Sequence, residues 1–97
     1  MKLIWSPLAL ERAEEMVDRI AADRPVGAQK WLDELFGSVE RLIQFPESGR
    51  VVPELNRANL REIIHGSSRV IYRIEAGDIT ILTVRNSRQL TEFNDLT

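Results

Sequence analysis

The side chains able to do chemistry crowd into the last third of this 97-residue chain. Arg61, Arg69, Arg73, Arg85 and Arg88 alternate there with short runs of β-branched and aromatic residues. A guanidinium stays charged and presents a planar fork that fits phosphate or carboxylate. Such a set would bind an anionic partner, or stabilise a phosphorane if a proton acceptor stood beside it. His65 is the single histidine, and because an unperturbed histidine side chain titrates near physiological pH it is a possible general base. The preferred reading is a turn histidine whose ring hydrogen-bonds a neighbouring strand, because no acid–base partner stands nearby. Glu47 and Glu54, in a proline-containing segment, are either bases or loop carboxylates that pair with an arginine.

The charge balance narrows the choice. A net charge of −2 argues against a sequence-blind nucleic-acid binder. Its distribution is uneven: residues 57–88 carry six arginines against Glu62, Glu75 and Asp78. Eleven arginines to two lysines is a bias that a GC-rich genome also produces, but the clustering is separate from it. Cross-strand ion pairing accounts for one or two of the cations, Arg61 or Arg73 with Glu62 or Glu75. The remainder call for a partner surface. With no cysteine and one histidine, neither a thiolate nor a histidine metal site is expected, and a reducing cytoplasm fits. No cofactor is implied. No apolar run reaches membrane-spanning length, and the first twenty residues mix charge with hydrophobes unlike a signal peptide.

The elements that must position these residues follow from periodicity. Ser6-Pro7 is a helix start, with an N-cap serine and a proline in the first turn. Ala9, Ala13, Met16, Val17 and Ile20 then recur at helical spacing over about 7–22. After Asp23-Arg24-Pro25 a second stripe runs through Ala28, Trp31, Leu32, Leu35, Phe36, Val39, Leu42 and Ile43 to Phe45-Pro46. The short break predicts an antiparallel helical hairpin. Trp5, Trp31, Phe36 and Phe45 read as core, and Gly37 as a point of close packing. Residues 45–55 read as an ordered loop. Segments 60–64, 69–74 and 79–84 are strands by content and length, joined by turns at 65–68 and 75–78. Alternation puts Val70, Tyr72 and Ile74 on the helix side and Arg69, Ile71 and Arg73 on a partly open face. Residues 3–5 add a strand, and 89–97 are a polar tail with Leu90, Phe93 and Leu96. The expectation is one α+β domain over 1–97, a helical hairpin on a small antiparallel β-sheet in the order β-α-α-β-β-β.

That order, with Trp5-Ser-Pro7, Phe45-Pro-Glu-Ser-Gly-Arg50, Val52-Pro-Glu54, Arg61-Glu-Ile-Ile-His-Gly66, Arg69-Val-Ile-Tyr-Arg-Ile74 and Ile81-Leu-Thr-Val-Arg-Asn-Ser-Arg-Gln-Leu90, resembles the RelE/ParE toxin superfamily of type II toxin–antitoxin modules. The similarity runs over nearly the whole chain and lies in the order of the pieces rather than in any one of them. It implies one of two activities: RelE-like members cut messenger RNA on the ribosome, while ParE-like members poison DNA gyrase without nuclease activity. In both, the C-terminal segment of an antitoxin wraps the toxin. An RNase reading would use Arg61, Arg69 and Arg85 with His65. Against it, Asn86 stands where many relatives place a histidine, no tyrosine follows Tyr72, and the lysine cluster of the well-known nucleases is absent. The resemblance therefore favours a ParE-like toxin without catalytic residues, a gyrase inhibitor whose acidic outer face on the first helix is a possible contact region. The antitoxin, of ribbon-helix-helix type, would engage Arg61, Arg69, Ile71, Arg73, Arg85 and Arg88. DNA would be touched only through that antitoxin. A relative that has lost toxicity and keeps the antitoxin-binding scaffold is the remaining alternative.

Overall fold

A computed structural model describes residues 2–86 of the chain. Strand β1 (Leu3–Trp5) leads into helix α1 (Pro7–Asp23), and α2 (Pro25–Glu40) follows after Arg24 alone. Ser6 caps α1 as its sequence predicts: its hydroxyl accepts from Ala9 N at 3.0 Å and donates to Leu82 O at 2.9 Å. A 3-10 turn (Arg41–Ile43) closes α2. Strands β2 (Arg50–Val51), β3 (Leu60–His65), β4 (Ser68–Glu75) and β5 (Asp78–Asn86) complete the chain's described part.

The strands form one five-stranded sheet in the order β1-β5-β4-β3-β2. The sheet is mixed rather than wholly antiparallel, because β1 runs parallel to β5. Joining parallel neighbours needs a long crossover, and the helical hairpin supplies it. The segment read as a pure loop contributes β2, giving the order β-α-α-β-β-β-β. The hairpin turns are tighter than expected. Gly66 at φ 59° opens the first, and Ala76 and Gly77 at φ 54° and 81° make the second, whose left-handed pair matches strand twist.

Both helices pack on one face of the sheet. Ala9, Ala13, Leu35, Val39 and Leu42 meet Val70, Tyr72, Ile79, Ile81 and Val84 there. Strict alternation from Ile79 would bring Thr83, not Val84, to this face. A bulge in the β4–β5 ladder takes up the extra residue, since Tyr72 pairs with Ile81 and Ile71 with Thr83, skipping Leu82. Leu82 lies with Ile71, Leu60, Val52 and Leu55 in a second, smaller core on the opposite face.

Two apolar expectations change. Phe36 and Phe45 are exposed. The helical phase breaks into a 3-10 turn after Glu40, and Phe45 follows it on the outside, while Phe36 still meets Trp5 edge-on at 5.3 Å. Gly37 has open space where a Cβ would stand, so it serves no close packing. Gly49 does: a Cβ there would lie 2.5 Å from Tyr72 Oη. No helix among the described residues is long and apolar enough to cross a membrane.

Candidate functional site

The arginine face is not open. Its centre is Glu62 on β3, whose side chain is fully buried and accepts from Arg50 Nε at 2.6 Å and Arg69 Nε at 2.5 Å. Arg69 turns the rest of its fork to Glu54, Nη1 to one carboxylate oxygen at 2.6 Å and Nη2 to the other at 2.9 Å. Hydrogen bonding to Glu54, then to Glu62, raises the Arg69 pKa further above its ordinary value, against the pull of burial. Burial of these charges carries a large desolvation cost, and bidentate, charge-assisted geometry offsets it.

Glu54 reaches Arg69 because its loop is held in place. Val52 N donates to Leu60 O at 3.0 Å, and Asn56 N turns back to Val52 O at 2.9 Å with Asn56 at φ 49°. Val52 and Leu55 thereby cover Ile71, Leu60 and Leu82. Arg69 and Ile71, expected to be offered to a partner, are buried within the chain itself. Arg50 is the member that sequence reading did not single out. Its only signal was a place opposite Glu62, which requires the β2–β3 register.

Arg61 points to the helix side. Its Nε donates to Ala58 O at 3.0 Å and its Nη1 to Gly49 O at 2.9 Å and Glu47 O at 3.3 Å, clamping both ends of the intervening loop. Glu62 therefore pairs with Arg50 and Arg69 rather than with Arg61 or Arg73. Arg73 takes Glu75 at 2.9 Å, as expected for a solvated strand end. His65 Nε2 lies 3.2 Å from the Trp31 carbonyl, which only accepts, so Nε2–H is the donor and the ring is anchored to α2 rather than to a strand. Arg85 stands opposite Arg69 in the ladder, half-buried, and lines a cleft with Arg12, Glu15 and Arg19 of α1. Arg88 lies outside the described residues, as does the tail from 89 to 97.

These positions divide the nuclease set. Arg61 pairs with Tyr72 and His65 with Ser68, on the face that meets the helices, whereas Arg69 lies on the opposite face, under the 52–59 loop. Arg85 pairs with Arg69 in the ladder, but its side chain lines the cleft against α1. The sheet thus separates the possible base from Arg69, and one phosphate cannot meet all four. Among the described residues no group of histidine, aspartate and glutamate is placed to hold a metal ion. Tyr72 is not a free acid either. Its hydroxyl donates to Pro46 O at 2.7 Å and accepts from Gly49 N at 3.0 Å, and burial pushes its pKa up.

Comparison with known proteins agrees with this architecture. No curated protein matches the sequence significantly. Among solved structures, a chain described as "Chromosomal ParDE TA system from P. aeruginosa" superposes with a TM-score of 0.76. The match covers 89% of this chain and 95% of that one at 20% identity, which establishes a shared fold. The model of the ParE toxin of the type II toxin–antitoxin system parDE matches residues 3–91. A match over nearly the whole length settles the family, and the chain belongs to the ParE toxins of type II toxin–antitoxin systems.

Proposed function

We propose that this ParE-family toxin inhibits DNA gyrase through protein contact and is neutralised by a cognate antitoxin. The observation that carries the reading is the division of Arg61 and His65 from Arg69 by the sheet, with Arg69 committed to Glu54 and Glu62. Cleavage at a ribose 2′-hydroxyl needs a base, a cationic stabiliser and an acid around one phosphate. Here Arg61 and Arg69 hold loops, and the histidine holds a helix carbonyl. A toxin acting by contact requires none of that convergence. The antitoxin would meet the accessible cations, Arg61, Arg73 and Arg85, with Arg88 beyond the described residues. Arg69 and Ile71 would act indirectly, by keeping the covering loop in shape. Under this reading a ribbon-helix-helix domain on the antitoxin contacts DNA.

The test is purified protein assayed on gyrase and, separately, on translating ribosomes. The expected result is loss of supercoiling with accumulation of cleaved DNA complexes, reversed by the product of the neighbouring reading frame, while mRNA stays intact. Site-specific mRNA cuts with gyrase unaffected would overturn it. Inertness in both assays, with harmless expression, would instead identify a relative that has lost toxicity.

A further inference from the structure

The outer edge of β3 is only half covered. Ile74 N bonds Asn59 O at 2.9 Å and Val52 N bonds Leu60 O at 3.0 Å, which fixes the parity of the strand. Odd-numbered residues of β3 turn their backbone groups to β4, and Leu60, Glu62 and Ile64 turn theirs outward. Strand β2 faces this edge only from Val51 back to Arg50, opposite Arg61 and Glu62. Before Arg50 the chain leaves the edge, because Gly49 N is drawn to Tyr72 Oη and the same hydroxyl holds Pro46 O. The outward N–H and C=O of Ile64 are thus left beyond the last paired residue, and its side chain is 54% exposed. A groove opens there between β3 and the end of α2, lined by Ile63, Ile64, Ser38, Leu42, Arg41 and Arg50.

We propose that this edge receives an extended, acidic peptide segment of the antitoxin, which continues the line of β2 and pairs with Ile64. Main-chain bonding to an open strand edge is a general mode of peptide recognition, with side chains alternating between pockets. The charge of the groove selects the occupant. Arg41 is exposed and Arg50 keeps 63% of its side chain accessible, while the neighbouring carboxylate, Glu62, is buried between Arg50 and Arg69. A second copy of this chain, joined edge to edge about a two-fold axis, would bring like charges together. An acidic segment with an aliphatic residue beside Ile64 meets both the cations and the apolar wall. The identity of the partner rests on the function proposed above; the edge geometry does not.

Hydrogen exchange on the full chain, alone and bound to the co-expressed product of the neighbouring frame, tests this. The Ile64 amide should exchange at least tenfold faster than those of Ile63 and His65 in the free protein, and become at least tenfold slower in the complex. Ile64→Pro deletes the outward donor at an edge position, where proline is tolerated, and should weaken binding at least tenfold. Arg41→Glu should do the same without touching the ladder, and serves if the proline variant does not fold. A complex that neutralises the toxin yet leaves the Ile64 amide unprotected overturns the edge inference alone. So does full affinity in Arg41→Glu, or protection that appears with concentration of the chain by itself. Failure of any complex to form overturns the antitoxin reading together with it.

Discussion

On the face toward the helices, Leu35, Val39, Leu42, Val70, Ile79, Ile81 and Val84 interlock, and the buried hydroxyls there are those of Tyr72 and, at the margin, Ser68. On the opposite face, a few aliphatic side chains share their cover with Arg69, Glu54, Glu62 and Arg50. The first face is closed by helices, whose own backbone bonds are satisfied internally. The second is closed by a loop, and a loop has to be held by its side chains. Charges buried between a loop and a sheet tie the two together only in one geometry. The helix-covered face therefore supplies area removed from water, and the loop-covered face supplies a directional lock.

The largest effect should come from breaking that lock. Glu62→Gln leaves Arg69 buried with one carboxylate, and should cost about 3–5 kcal/mol in urea denaturation. Replacing both partners, Glu62→Leu with Arg69→Met, should recover most of that loss, because an apolar pair avoids the desolvation penalty. Failure of the double variant to recover would show that the loop needs the charges themselves.

On the helix side, Tyr72→Phe strands Gly49 N and Pro46 O and should cost about 1–3 kcal/mol. The same variant carries a pH signature. Tyr72 has its pKa raised above the ordinary 10.0, with burial as the largest cause. Its contribution is therefore complete below pH 10 and is lost as pH rises through the folded value. Thermal melts of the parent should fall in that alkaline window more steeply than those of Tyr72→Phe.

Gly37 lies on neither face. Gly37→Ala should stabilise by roughly 0.5–1 kcal/mol and raise the melting temperature, since the helix gains propensity and nothing stands within 4 Å of the new methyl. The smallest change is expected at Arg73, whose pair with Glu75 is solvated. Arg73→Ala should shift denaturant stability by less than about 0.5 kcal/mol, a direct contrast with the buried pair.

Much of the scaffold was legible in the residues. The two helices, the three long strands and the sides taken by Val70, Tyr72 and Ile74 follow from a period of 3.6 giving way to one of 2. Strand β2 was not, because a two-residue strand has no period and is defined by its partner. The parallel placement of β1 and the bulge at Leu82 are likewise decisions of pairing. Phe45 looked like core because it continues a helical stripe, but the 3-10 turn ahead of it changes the phase.

For the candidate site, the chain by itself determined which side chains were available: a cluster of arginines, one histidine, carboxylates in a proline-containing loop, and an asparagine at 86. Alternation also determined that Arg61 and His65 share a face of β3, and that Arg69 and Arg73 share one of β4. Only the register between those strands decided that the two pairs lie on opposite sides of the sheet. Only the folding of residues 52–59 over that sheet decided that Arg69 and Ile71 are buried. Periodicity is a local property carried by neighbours in sequence, whereas register and burial arise from contacts between segments distant along the chain.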